Sequence, residues 1–360
     1  MRNNDSRSPL IKSITLSDLS ICDCADSFLQ SSMWGRFKSR FGWDAKAFSV
    51  DWVYGGIKPL LVLCRCIAPG FSMAYIPWGP ELPADFPDDS SLRTNAVTEL
   101  GLTLRQLLPR SVTFIRFDFA FSSSLNPHSS LLVKAAADIQ APDTVIVDLS
   151  PSPEAILAAM KPKCRYNIKL AEKHKVIVRC HTDSGSQSAI PVFYQLLSET
   201  SARDGIAIHH IAYYRALFEE CLNDETTHAA AVPARLRLYT AEHEGDTLAA
   251  IVALFRGEQA VYLYGASANV KRNLMSPYAL QWQAMRDAKE NGCTRYDLFG
   301  IPPDENPDHP MAGLYRFKTG FGGCILHRGG SWDYPCKPLL YVLFSTAESL
   351  RKKIRDKRKK

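Results

Sequence analysis

Three stretches of this 360-residue chain carry residue types able to do chemistry, and all three are basic. Residues 27–41, SFLQSSMWGRFKSRF, set Phe28, Trp34 and Phe37 among Arg36, Lys38 and Arg40. That mixture can meet an anionic ligand, or simply pack its aromatics on one helix face. Between 160 and 175 six cations crowd together: Lys161, Lys163, Arg165, Lys169, Lys173 and Lys175. They could read phosphate, or form a solvated helix face over inward-facing Ile168 and Leu170. Residues 351–360, RKKIRDKRKK, hold eight Lys or Arg against one Asp, a local +7, while the other 350 residues sum to −1. This tail follows an apolar helix-former at 339–350 that is too short to span a bilayer. An anionic leaflet, RNA phosphates or plain solvent would each suit it.

Ten cysteines occur without a single CxxC; Cys22/Cys24 and Cys64/Cys66 are each one residue apart. Such spacing fits neither a zinc knuckle nor a disulfide framework, so reduced thiols in a cytosolic protein are expected, with no metal. No secretory signal opens the chain, and no run of about 18 apolar residues occurs. With 46% hydrophobic and 22% charged residues, two cores of ordinary size are expected rather than one.

The elements that must position these groups centre on residues 261–323. Residues 261–265 read as a strand, and Ser276-Pro277 reads as an N-cap followed by proline at the first helical position. Tyr278, Trp282, Met285 and Lys289 share a helical face, Asn291-Gly292 can end the helix, and 295–301 reads as a second strand. Earlier, strands are expected at 47–53, 58–67 and 73–76, a break at 77–80, a loop at 81–91, a helix at 92–108 and a strand at 112–121. Residues 1–25 carry no clear signal. Further on come a strand at 143–149, a helix opening at Ser152-Pro153, a strand at 176–180, a helix at 189–204 and another beginning near His209, His210, Tyr213 and Tyr214.

The two halves repeat one order. Tyr75, loop, helix and Arg116-Phe117-Asp118 match Tyr264, loop, helix and Arg295-Tyr296-Asp297, with 43 and 33 residues from Tyr to Asp. An α/β (α+β) fold built twice is expected, with domains at 1–150 and 151–336, a helix-plus-tail at 337–360, and ligand in a cleft between the domains.

These pieces together resemble the Fem family of aminoacyltransferases, which add amino acids from charged tRNA to the stem peptide of peptidoglycan precursors. The matching segments are 34–38 WGRFK, 75–80 YIPWGP, 161–171 KPKCRYNIKLA, 199–205 ETSARDG, 262–267 YLYGAS and 313–322 GLYRFKTGFG. They stand in the family's order and cover almost the whole chain; together they are specific, though no one of them is. The resemblance implies two tandem acetyltransferase-like (GNAT-like) domains, here of the compact type without a helical arm. Cysteine usage and the basic tail add the expectation of a cytoplasmic enzyme, with or without peripheral contact to the inner leaflet through the C-terminal tail. Its co-substrate would be aminoacyl-tRNA, its acceptor a lipid-linked or UDP-linked muropeptide, and it would need no cofactor or metal.

The resemblance also implies roles. Lys318, after Phe317, would be the cation set against the oxyanion of the ester attacked by an amine. Gly320, Gly322 and Gly323 would let backbone approach a bulky ligand. Arg36 or Lys38 would meet phosphate, with Trp34, Tyr75, Arg203, Tyr214 and Tyr264 as substrate-binding residues; Asp118, from its own place at a strand end, could orient the amine or serve as a structural cap. The family often pairs an arginine with a tyrosine before the helix at Tyr213; here His209 and His210 stand instead, and histidine binds phosphate more weakly at neutral pH. A GNAT-like N-acyltransferase on another small amine is the main rival. Its coenzyme needs a glycine-rich turn, and ANVKRNLMSP at 268–277 has no glycine, so tight coenzyme A binding is not expected. A non-catalytic tRNA- or membrane-binding relative, or a transferase acting on protein N-termini, would share many of these features.

Overall fold

The computed structural model describes residues 8–121, 125, 131–226, 228, 230 and 232–358, without the side chains of 183, 184 and 352–358. They form two compact units, Met1–Pro142 with Arg328–Lys360, and Asp143–His327. The first begins with β1 (Ile11–Ser17), antiparallel to β2 (Asp44–Trp52). β1 carries no alternation by which it could be read beforehand: Ile11 is buried, Ile14 half-buried and Leu16 exposed, as suits an edge strand. Between these strands lies α1 (Ser32–Ser39), whose first turn is capped by Ser31 Oγ accepting from the Trp34 N–H at 3.2 Å. β3 (Gly56–Ala68) and β4 (Phe71–Ile76) continue antiparallel. The helix α2 (Ser90–Leu107), capped by Asp89, then crosses over so that β5 (Val112–Phe119) lies parallel to β4. β6 (Val133–Lys134) is a two-residue stub.

The second unit opens with β7 (Asp143–Asp148), α3 (Pro153–Ala159), α4 (Pro162–Lys173) and β8 (Ile177–His181). Then come α5 (Asp183–Asp204), α6 (Ile211–Thr226) and three antiparallel strands, β9 (Arg235–His243), β10 (Asp246–Arg256) and β11 (Gln259–Ser267). α7 (Ser276–Glu290) crosses over to β12 (Arg295–Asp297), parallel to β11, and α8 (Ala312–Gly320) leads to β13 (Cys324–His327). The chain then leaves this unit. β14 (Gly330–Pro335) inserts antiparallel between β5 and β6, and α9 (Pro338–Arg358) packs on the first unit.

The sheet orders, β1-β2-β3-β4-β5-β14-β6 and β8-β9-β10-β11-β12-β7-β13, match strand for strand, each with a single parallel pair. This is the tandem acetyltransferase-like architecture. It also shows why the units part at 142/143 and 327/328, whereas the sequence put boundaries at 150/151 and 336/337. The strand following β6 along the chain is built into the second sheet, and the strand following β13 into the first. Each unit has its own core. Trp52, Leu100, Phe117 and Tyr334 are buried in the first; Tyr239, Leu280, Met285, Tyr296 and Phe321 in the second. Each such side chain contributes roughly 1.5–3 kcal/mol by leaving water. Among the described residues no helix is long and apolar enough to cross a membrane.

Two local expectations shift. α7 starts at Ser276 rather than being capped by it; Met275, at φ +55°, takes the cap position without a side-chain bond. The strand expected over 295–301 stops at Asp297. Its carboxylate accepts the Phe299 N–H at 2.7 Å, and Phe299 turns left-handed at φ +58°.

Candidate active site

The second unit carries a fork. β11 and β12 pair for only three residues, Gln259 to Val261 with Arg295 to Asp297. β11 then runs on to Ser267, bulging at Leu263 against β10, while β12 turns away at Phe299. That turn aims two carbonyls at one amine: Lys318 Nζ donates to Gly300 O at 2.9 Å and to Phe299 O at 3.3 Å. The same nitrogen lies 5.0 Å from the centroid of the Tyr262 ring. Lys318 is only 6% exposed, on the last turn of α8. Burial pulls it down to about 7, and the nearby Asp297 carboxylate, held by Thr144 Oγ1 at 2.5 Å, pulls the other way. An amine poised near neutrality can present a cation or move a proton in a water-poor site.

Tyrosines line the longer arm of this fork. Tyr264, half-buried, hydrogen-bonds Tyr213 and meets Tyr214 edge-on at 5.2 Å. Burial pushes Tyr213 and Tyr214 up to about 12, so both phenols stay protonated at neutral pH. His209 is exposed, stacks on Tyr213 at 3.9 Å and gives its backbone N–H to Tyr214 Oη at 3.3 Å. Arg203 is engaged within the fold. It donates to Ser267 O at 3.0 Å and Asn269 Oδ1 at 2.9 Å and pairs with Asp204, tying α5 to the end of β11. Sequence reasoning did not single out Tyr262. Its hydroxyl occupies the space that a side chain at Gly265 would need, and that Tyr-x-x-Gly spacing was the available signal.

Phe317 stands edge-on to Tyr278 at 5.0 Å and to Phe321 at 5.2 Å, which makes its ring part of the core behind Lys318. The glycines beyond it do not leave room for a ligand. Gly323, at φ +86°, lies so close to the carbonyl of Ile146 on β7 that no Cβ fits, and Gly322, at φ +79°, abuts Ala159 O. The chain's own backbone is what approaches there. Gly320 O accepts the Lys161 N–H at 2.9 Å, fastening α8 to the start of α4.

In the first unit, Asp118 at the end of β5 is buried and its oxygens are occupied. Tyr75 Oη donates to it at 2.5 Å, the Gln140 N–H at 3.1 Å, and Ser331 Oγ of β14 also donates. Burial raises its pKa, and Tyr75 is raised well above its ordinary value. The sequence pairing of Tyr75/Asp118 with Tyr264/Asp297 therefore holds in order but not in contact, because Tyr264 bonds Tyr213 and Asp297 bonds Thr144. On α1, Trp34 is buried against Phe28 and Phe37, and Arg36 Nη1 donates to Ser32 Oγ at 3.1 Å. Lys38 Nζ lies 5.5 Å from Trp34 and 5.7 Å from Trp43. Arg65, exposed on β3 and not singled out from sequence, covers the Trp43 ring at 5.3 Å. Burial, then repulsion from Arg65, brings Lys38 down to about 8. The result is a basic-aromatic cluster with cations held over indole rings.

The remaining cationic stretches sort by burial. Arg165 caps α3 by donating to the carbonyls of Ala158 and Met160. Lys163, Lys169, Lys173 and Lys175 are exposed while Ile168 is buried, so the solvated-face reading fits α4. In the basic tail, the side chains of 352–360 lie outside the described residues. The turn at 268–277 passes through left-handed Lys271 and Met275, and Lys271 pairs with Asp246 and Glu244.

Two sheets of the same order, one opened into a fork around a buried lysine, define a tandem acetyltransferase-like protein. The FemAB family model matches residues 120–240 and 222–349, and the chain belongs to that family. Lipid II:glycine glycyltransferase of Staphylococcus epidermidis (strain ATCC 35984) is 35% identical over 106 residues, 29% of this chain and 26% of that protein. The enzyme of the same name from Staphylococcus aureus (strain MSSA476) is 23% identical over 262 residues, 57% and 61% of the two chains. The chain thus aligns with roughly a quarter to three-fifths of these relatives' length. In fold it is similar to the crystal structure of FemX, with a TM-score of 0.73 at 17% identity over 92% of this chain and 100% of that one.

Proposed function

We propose that the protein is a non-ribosomal aminoacyltransferase that moves an amino acid from aminoacyl-tRNA to an amine of a peptidoglycan precursor in cell-wall bridge formation. The observation that carries this reading is the buried Lys318 amine at the β11/β12 fork of a FemAB-family chain. The acceptor's neutral amine attacks the ester carbonyl. A C–N bond forms as the carbonyl oxygen becomes an oxyanion, facing the Lys318 ammonium in a site of low dielectric. Collapse breaks the bond to the ribose oxygen, which takes up the proton shed by the attacking nitrogen and leaves as the tRNA hydroxyl. The ester is already activated, so no covalent enzyme intermediate is required. In the second unit Tyr214, Tyr264 and His209 are the residues proposed to line substrate, and in the first Lys38 and Arg36 are the cations proposed to meet phosphate. Phe317 stiffens Lys318, while Asp118 and Tyr75 hold the first unit's sheet. The lipid II in the name of the staphylococcal relatives favours a lipid-linked acceptor.

The test is an acceptor assay. Each radiolabelled aminoacyl-tRNA is incubated with the protein and, in parallel, lipid-linked precursor, UDP-linked precursor or a free peptide. Label should move to the lipid-linked precursor from one or a few tRNAs. Transfer only to the peptide, or acylation from acetyl-CoA alone, would replace this reading with one of its rivals. Binding of tRNA with no transfer to any acceptor would make the protein a non-catalytic relative.

A further inference from the structure

α9 has two faces, and only one of them is used by the fold. Tyr341, Phe344 and Glu348 point inward. Phe344 lies 4.7 Å from Phe114 and Tyr341 5.5 Å from the same ring, Tyr341 Oη donates to Asp333 Oδ2 at 2.9 Å, and Glu348 accepts from Arg116 at 2.8 Å. These positions recur at helical spacing. At ~100° per residue, the opposite side of the helix carries Leu339, Val342, Leu343 and Leu350. They are 86%, 58%, 69% and 59% exposed. A row of four large aliphatic side chains in water is more than the scattered exposed leucine of an ordinary surface.

Charge decides between the occupants such a row could have. From Pro338 to Arg355 the only acidic residue is Glu348, which faces Arg116 on the inner side, and residues 351–355 read RKKIR. An apolar stripe continued by a cationic segment, with no acid on the outer face, matches an anionic bilayer. The aliphatic row enters the acyl boundary while the cations stay at headgroup level. A nucleic acid would answer the cations but leave the leucines in water. A second copy of this chain would bury the leucines but bring two cationic segments together.

We propose that the outer face of α9, with the basic residues of its C-terminal turns, is a docking surface for an anionic lipid membrane. The inner face locks the helix to β5 and β14 through Arg116 and Asp333, so the surface is preformed and docking needs no rearrangement of the first unit. It would hold the protein where a lipid-linked acceptor resides, but the inference rests on the faces of α9 and not on the transfer reaction.

The experiment is co-sedimentation of the full chain with vesicles of pure phosphatidylcholine or of phosphatidylcholine with about 30% phosphatidylglycerol, without tRNA or acceptor. The anionic vesicles should bind at least about tenfold more tightly, and more weakly as salt rises. L339S/L343S/L350S should lose at least about tenfold of that affinity with an unchanged melting curve, because none of the three packs on the core. R351E/K352E/K353E should abolish the preference for anionic lipid. The proposal is overturned if wild-type protein fails to sediment with either vesicle, or if the leucine variant binds like wild type. A concentration-dependent dimer that the leucine variant abolishes, or loss of tRNA binding without loss of vesicle binding in the charge variant, would also overturn it. Vesicle binding by a protein that transfers nothing would refute the transferase reading and leave this one standing.

Discussion

Replacing Lys318 by Met keeps the length of the side chain and removes one buried charge. In the folded chain the amine sits near 7 rather than 10.5, a drop worth up to about 5 kcal/mol at 1.36 kcal/mol per pH unit. The sign follows from proton counting. Between pH about 7 and 10.5 the unfolded chain carries a proton at this position that the folded chain lacks, so stability rises with pH across that window. It is lost again as pH falls toward 7, below which both states are protonated and the slope vanishes. Wild-type stability relative to Lys318→Met should therefore climb by about 2–3 kcal/mol from pH 7 to 9. For a unit of this size that is roughly 5–10 °C in the melting temperature. Transfer should respond separately. An interaction made only with the oxyanion lowers kcat by about 10²–10³ while KM changes little. Paired thermal melts at half-unit pH steps, with single-turnover transfer at each pH, provide both readouts. Parallel melting curves for the two proteins would show that Lys318 is an ordinary charged lysine, and transfer within about threefold of wild type would remove it from the chemistry.

Arg116→Met should destabilise the first unit by about 3–5 kcal/mol in urea, because it strands the fully buried Asp333 carboxylate, to which Arg116 donates at 2.7 and 2.8 Å. Lys38→Met should weaken binding of a UDP-linked precursor about tenfold at pH 7, read by quenching of tryptophan fluorescence. Wild-type affinity should itself decline as Lys38 loses its proton above about 8, and Lys38→Met should flatten that decline. Isothermal calorimetry with acetyl-CoA should show no micromolar binding, since the 268–277 turn has no glycine and spends Lys271 on Asp246 and Glu244. A chain cut after Pro142 should fail to give a folded first unit by circular dichroism, because it lacks β14, which supplies Trp332 and Tyr334 to the core and Ser331 to Asp118.

What could be read from the sequence was what is local in the chain. The strand–helix–strand unit at 261–297 announces itself through alternation, a proline at the helix start and a left-handed Gly292 at its end, and the unit at 71–119 repeats its order with a helix capped by Asp89. Contacts over long separations were not visible. Nothing in GSWDYP at 330–335 says that it pairs with 114–119, about 216 residues earlier, or that Asp333 answers Arg116. The site shows the same division. Lys318 could be marked only through its surrounding motif, because the carbonyls that hold it belong to Phe299 and Gly300, and their direction depends on one left-handed residue inside an apparent strand. Gly322 and Gly323 were legible as backbone close approaches. Only the fold identifies what approaches, namely β7 and the end of α3.

The matched sheets make the difference between the two units informative. At the end of its parallel pair the first unit is closed by polar side chains. Asp118 gathers Tyr75, Ser331 and the Gln140 N–H, and Ser331 arrives on the exchanged strand β14. The second unit has its own exchanged strand, β7, in the same place, yet Thr144 on β7 satisfies Asp297 on the sheet side and leaves the β11/β12 fork to Lys318. One topology thus yields two outcomes according to which side chain meets the terminal aspartate. A carboxylate saturated by three donors is a clasp. A carboxylate held by a threonine and a backbone N–H, with an amine beyond it fixed by two carbonyls, leaves that amine pulled down by burial. That asymmetry, rather than the duplicated scaffold itself, is the reason we propose Lys318 of the second unit for the chemistry.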